Sequence, residues 1–222
     1  MIGQFRTIFT TILVFFLLAG CAPTIVDSNL QPQQAIYENQ PPDVMSDIQK
    51  ELVTVTVQYY GFDGVRHQGQ VVIHKGLEQD IKKIFNVILE KRFPVESVIP
   101  IAHPTIQKKG PYGLSSDTNN TSAYVWRPIV KSHKLSLHAL GLAIDINPRL
   151  NPYIKGNLVL PPNASYNPLK SGTLVSNSPV VQEFKRLGWE WGGDWKQGTM
   201  DYMHFQKIDK KTEAWIQTYR ND

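Results

Sequence analysis

The run Ser136-Leu137-His138-Ala139-Leu140-Gly141-Leu142-Ala143-Ile144-Asp145 constrains this chain more than any other stretch. From Leu142 the residues alternate, with Leu142, Ile144 and Ile146 on one face and Ala143, Asp145 and Asn147 on the other. That is the pattern of a strand with one apolar face. Gly141 permits a tight turn just before it, so His138 can fold back beside Asp145. A second stretch, Asp201-Tyr202-Met203-His204-Phe205, reads as another short strand over 202–206, with His204 pointing away from Met203 and Phe205. Brought together, the two supply two imidazoles and a carboxylate, and leave Asp201 free to handle protons. Two His and one Asp are a donor set for catalytic zinc, which takes three protein ligands and keeps its fourth position open. For any one of these histidines alone, a satisfied polar core cluster would be the better reading. Three ligand residues and a spare carboxylate together favour a single Zn2+ held by His138, Asp145 and His204, with Asp201 as general base.

The rest of the chain alternates between regular and irregular segments. Val53 to Phe62 is β-branched and aromatic and alternates like a strand. Gly61-Phe62-Asp63-Gly64 then turns the chain, and Gln70 to His74 returns to complete a hairpin. Leu77 to Arg92 places Leu77, Ile81, Ile84, Phe85, Ile88 and Leu89 on one helical face, and Pro94 ends it. Short strands are expected over Val95–Ile101 and Ala123–Trp126. Long irregular loops are expected over His103–Asn120 and Pro148–Pro179. Further helices are expected over Pro179–Leu187, closed by Gly188, and over Thr212–Tyr219. His67, His74 and His103 have no motif around them and receive no role.

At the metal motif a resemblance becomes specific. Ser-x-His-x-x-Gly-x-Ala-x-Asp followed by Asp-x-x-His resembles the zinc D-alanyl-D-alanine carboxypeptidase family (peptidase M15), which includes VanY-like enzymes and the related L-alanyl-D-glutamate endopeptidases. Asn120–Tyr124, Arg127-Pro128, Asp145–Pro148 and the run Gly188-Trp189-Glu190-Trp191-Gly192-Gly193-Asp194-Trp195 share it, and Tyr60–Gly64 does so weakly. The resemblance implies zinc ligation by His138, Asp145 and His204, acid–base catalysis by Asp201, and an arginine, Arg127, that binds the substrate carbonyl or carboxylate. Its implied fold is α+β, a small antiparallel sheet with flanking helices shared with the Hedgehog signalling domain. The implied substrate is the peptidoglycan stem peptide, with D-Ala-D-Ala cleavage preferred over L-Ala-D-Glu cleavage. A non-catalytic wall-binding lipoprotein is the rival from another class. Two departures stand out: many members have Glu at the positions of Asp201 and of Gln206. Asp194 is expected to support a ligand imidazole. Ser136 is expected either to bond substrate or to fix the turn before His138.

The chain is 222 residues long, 41% hydrophobic and 19% charged, with net charge +4, which suits one domain plus a leader. No charge block is long enough to suggest a nucleic-acid partner, and a monomer is expected. Arg6 precedes an apolar run from Ile8 to Leu18, then Leu18-Ala19-Gly20-Cys21, which resembles a bacterial lipobox. The expected division is therefore a lipoprotein signal peptide over 1–20, a flexible tether over 21–50 after a lipidated Cys21, and a zinc peptidase domain over 51–222. An ordinary signal peptide with an incidental Cys is the alternative. The expected location is the bacterial cell envelope, with a lipid anchor in the membrane.

Overall fold

The computed structural model describes residues 23–108, 118–129, 133–196 and 198–220; the leader and Cys21 lie outside the described residues. The amino-terminal half carries β1 (Thr24–Val26), α1 (Pro32–Tyr37), α2 (Ser46–Gln49), β2 (Leu52–Tyr60), β3 (Arg66–His74), α3 (Glu78–Glu90) and α4 (Pro104–Gln107). The carboxy-terminal half carries β4 (Ala143–Asp145), β5 (Tyr153–Lys155), β6 (Leu158–Leu160), α5 (Pro179–Arg186), β7 (Glu190–Trp191), β8 (Thr199–Asp201), β9 (His204–Gln206) and α6 (Lys210–Arg220). The described residues form three three-stranded sheets, ordered β1-β3-β2, β4-β9-β7 and β6-β5-β8. Helices flank these mostly antiparallel sheets, as expected for an α+β fold.

The expected hairpin forms with full register from Leu52 opposite His74 to Tyr60 opposite Arg66. Its inward residues Val55, Val57, Tyr59, Val71 and Ile73 share one core with Ile81, Ile84, Phe85 and Ile88 of α3. Each such side chain contributes about 1.5–3 kcal/mol on burial, which makes this sandwich the platform for the rest. Asp80, in the first turn of α3, accepts hydrogen bonds from Trp189 Nε1 at 3.0 Å and Lys207 Nζ at 2.7 Å. The platform thereby holds the ends of the β4-β9-β7 sheet. From α5, Phe184 stacks on Phe205 with centroids 3.7 Å apart. Phe205 is fully buried on that side, so strand alternation turns His204 to the opposite face.

Four expectations are corrected. Residues 24–50 are not a free tether. β1 pairs parallel to β3, and Ala35 and Ile36 are buried. The segment is held by polar groups, which apolar periodicity does not reveal: Gln70, buried in β3, accepts from Ser28 Oγ and Leu30 N, both at 2.7 Å, and donates to Leu30 O. Neither 95–101 nor 123–126 forms a strand: Val98 makes an isolated bridge with Thr121, while Tyr124 N and Val125 N donate to Val72 O and His138 O. Around 95–101 side-chain amides take the place of a ladder. Asn120 bonds Ser97 Oγ and both backbone groups of Ile99, and Asn147 bonds Glu96 N, Pro94 O and Gly172 O. The stretch 148–179 is not wholly irregular, since β5 and β6 pair within it and β5 pairs onward with β8. The loop from His103 contains α4; its residues 109–117 lie outside the described ones.

Candidate metal centre

Two ligand candidates face each other because of strand register: Asp145 on β4 is directly opposite His204 on β9. Directly paired residues project to the same face of a sheet. The third candidate, His138, comes from a 3-10 turn over Leu137–Leu140. Ser136 caps that turn, its Oγ accepting from His138 N at 3.3 Å, so the hydroxyl fixes the turn. Gly141 ends it in the left-handed region at φ 65°. A Cβ at Gly141 would lie 2.7 Å from His74 N and 2.5 Å from Leu52 Cδ2. Only a residue without one can seat the turn against β3, where Gly141 O accepts from His74 N at 2.9 Å.

The three side chains meet closely. His138 Nε2 is 3.1 Å from His204 Nδ1 and 3.2 Å from Asp145 Oδ1, and His204 Nδ1 is 3.1 Å from that same oxygen. Each ring is also bonded on its outer side. His138 Nδ1 is 2.6 Å from the carbonyl of Ala123, and His204 Nε2 is 3.0 Å from Oε1 of Gln206. Both outer partners only accept, so each ring places its N–H outward. The inward nitrogens of neutral rings are then lone pairs, aimed at each other and at a carboxylate oxygen. Three acceptors at this separation need a positive charge between them. Donors about 2.0–2.1 Å from a tetrahedral zinc would stand about 3.3–3.4 Å apart. The cluster's spacing is close to that, and its ligand atoms all lie within 4.8 Å of one another, so the group can hold a metal ion.

Electrostatics agree with this geometry. Burial holds the His138 imidazole below its usual range despite Asp145 beside it. Burial also disfavours charge on His204, but the hydrogen bond and charge of Asp145, with Asp201 behind, push it up to about 8. Asp145 stays well below the ordinary carboxylate range: burial opposes its charge, and His138 and His204 outweigh that. Without an ion, the cluster keeps one proton on His204 to balance Asp145.

Asp201 ends β8, and its Oδ1 is enclosed with no hydrogen-bond partner among the described residues. Burial raises it to about 7; His204 and Arg127 oppose the rise, and Asp145 adds to it. A carboxyl near neutrality with an unused oxygen is suited to exchanging protons. Arg127 is half-buried, and its backbone carbonyl accepts from Ser136 N at 3.1 Å; its positive charge acts on both His138 and Asp201.

Asp194 does not support an imidazole. It is exposed and pairs with Lys185 at 2.6 Å, while its neighbour Trp195 packs on the His204 ring with centroids 5.5 Å apart. The supports that the sequence reading missed are the Ala123 carbonyl, Glu190 behind Gln206, and Gly192. A Cβ at Gly192 would lie 2.4 Å from Asp201 O, so the Gly-Gly-Asp turn can approach Asp201 only through glycine. The Gly-Gly pair was visible as a motif; no local signal said which backbone it would touch.

Residues 130–207 match the family model for D-alanyl-D-alanine carboxypeptidase. Over this stretch the chain is similar to that peptidase family. The matched segment contains His138, Asp145, Asp201 and His204, the residues that the fold gathers. Members of this M15 peptidase family are zinc-dependent, which accords with the donor set found here. No curated protein and no solved structure matches the chain closely enough to add a second comparison.

Proposed function

We propose that this protein is a zinc-dependent peptidase of the bacterial cell envelope that cleaves the peptidoglycan stem peptide, most directly as a D-alanyl-D-alanine carboxypeptidase. The observation that carries the zinc reading is the convergence of three ligand atoms, His138 Nε2, His204 Nδ1 and Asp145 Oδ1, at 3.1–3.2 Å, with both outer ring nitrogens already satisfied. Zinc, when bound, supplies a Lewis acid that polarises the scissile carbonyl and acidifies water.

The chain's own residues would do the rest. Asp201 takes a proton from the attacking water and returns it to the leaving amine, with its raised pKa matched to both tasks. Arg127 provides a planar cation for the terminal carboxylate or the developing oxyanion. Asp145 balances the charge gathered around it. In this reading a lipidated Cys21 holds the enzyme at the membrane, within reach of its polymer.

Digestion of purified peptidoglycan, followed by mass spectrometry of the muropeptides, tests the proposal. Loss of one terminal alanine, abolished by chelator and restored by zinc, is the expected result. Release of the whole stem between its first two residues would assign endopeptidase activity instead. An unchanged digest from zinc-loaded protein would leave only a wall-binding role and sink the catalytic reading.

A further inference from the structure

The two ends of the β2–β3 ribbon differ. β1 runs parallel to β3 and begins with Thr24 opposite Arg66. The amino-terminal end of β1 therefore lies on the side of the hairpin turn that joins Tyr60 to Arg66. That turn carries Phe62, which is 44% exposed. Its ring lies against Gly172, where an added Cβ would sit 2.5 Å from Phe62 Cζ. The contact ties the hairpin turn to the loop around 167–173. Two successive turns follow in that loop, Lys170 N to Asn167 O and Thr173 N to Lys170 O, and Leu169 stands 94% exposed in the first of them. Ile25 of β1 is also 43% exposed.

Cations lie at the same hairpin turn and beside Phe62. Arg66 begins β3. Arg92 holds its guanidinium 4.4 Å from the centre of the Tyr60 ring. Arg149 and Lys170 line one groove with Phe62. Of the acids nearby, Asp63 pairs with His67, and Glu96 lines the same groove. Exposed apolar side chains with basic ones beside them suit an interface with anionic lipid.

We propose that this end of the molecule docks on an anionic lipid surface, with Leu169, Phe62 and Ile25 at the acyl boundary and Arg66, Arg92, Arg149 and Lys170 against the headgroups. The proposal rests on the reading of Cys21 as lipidated. From Cys21 to Thr24 the chain can span only about 10 Å. Because 24–50 are packed on the domain rather than free, an anchored chain brings its entry end to the bilayer, and that is the end that carries these groups.

The test uses the full-length acylated protein. Cys21 is the only cysteine of the chain, and acylation consumes its thiol, so Leu169→Cys provides a single site for an environment-sensitive fluorophore. On vesicles of phosphatidylglycerol and phosphatidylethanolamine the label should shift to the blue and be reached by a quencher in the acyl region. On phosphatidylcholine vesicles the shift should shrink. The same label at Ile208→Cys should stay unshifted, because that residue leads into α6, which packs on His74 at the far end of β3. A water-like signal at 169 on protein that pellets with vesicles would overturn the docking face. Protein that lacks the acyl mass and stays in the supernatant would overturn the anchor beneath it.

Discussion

Glu190 acts on His204 through a single amide. Gln206 donates from Nε2 to Glu190 Oε2 at 2.9 Å, and its Oε1 faces His204 Nε2 at 3.0 Å. An amide can present either end to the imidazole, and only one end accepts. The carboxylate of Glu190 selects that end by claiming the other. A ligand histidine whose outer N–H is held this way is fixed in tautomer and orientation.

Glu190→Ala should therefore weaken zinc binding by roughly 10-fold, toward the lower end of what such supporting contacts contribute. Adding Gln206→Glu to that variant should restore the affinity, because a carboxylate accepts at either oxygen. Competition against a chromophoric chelator measures both. Unchanged affinity in Glu190→Ala would show that the amide needs no such selection.

Asp201→Asn keeps the shape and removes the exchangeable proton. Hydrolysis should fall by about 10²–10⁴-fold while zinc affinity changes little. Wild-type activity should rise with pH along its acid limb as Asp201 ionises. A bound dication favours the anion, so the midpoint should lie below the value of about 7 to which burial pushes this carboxyl. A variant that keeps full activity with zinc bound would remove Asp201 from the mechanism.

Zinc and a proton compete for His204. Its pKa of about 8 without metal lies above the ordinary 6.5, so at neutral pH the ion must displace a proton. Zinc binding should release that proton, and apparent affinity should grow as pH rises toward 8. The same shift has a consequence for the metal-free protein. A folded pKa raised above the unfolded one stabilises the fold fully below about pH 6.5, and this contribution is lost as pH passes through 8. Asp201, also raised when folded, acts in the same direction between its ordinary value and about 7. Calorimetry in buffers of different ionisation heat counts the proton, and thermal melts of metal-free protein between pH 6.5 and 8.5 should show the falling Tm.

Gly192→Ala should cost about 1–3 kcal/mol, because its Cβ would press on the backbone of Asp201 at 2.4 Å. The displacement acts at the catalytic carboxyl, so kcat should fall more than thermal stability alone explains. The matching change at exposed Gly198 is strained at φ 75° but meets nothing within 4 Å, and should leave kcat nearly intact. Equal kcat losses in the two variants would deny Gly192 its positioning role.

Much of the architecture could be read from local pattern. The β2–β3 hairpin and α3 show strict periodicity of 2 and 3.6, and both form within a few residues of expectation. Where pattern failed, side chains had replaced it. Asn120 and Asn147 satisfy backbone groups between Pro94 and Ile99 that a ladder would otherwise take, so the strand expected at 95–101 does not form. Gln70 docks a polar segment that composition alone describes as a tether. An amide's partners depend on what lies across from it, and composition carries no such information.

The same division holds at the metal centre. Residue chemistry alone determined the donor types, the spare carboxylate and the need for glycine at the turn before β4, because these follow from what imidazole, carboxylate and a missing Cβ can do. Only the tertiary structure decided that Asp145 stands opposite His204, that Ala123 and Gln206 face the outer ring nitrogens, and that Asp194 turns away to Lys185. Those are contacts between segments distant along the chain, and their geometry is set by strand register and by packing on the core.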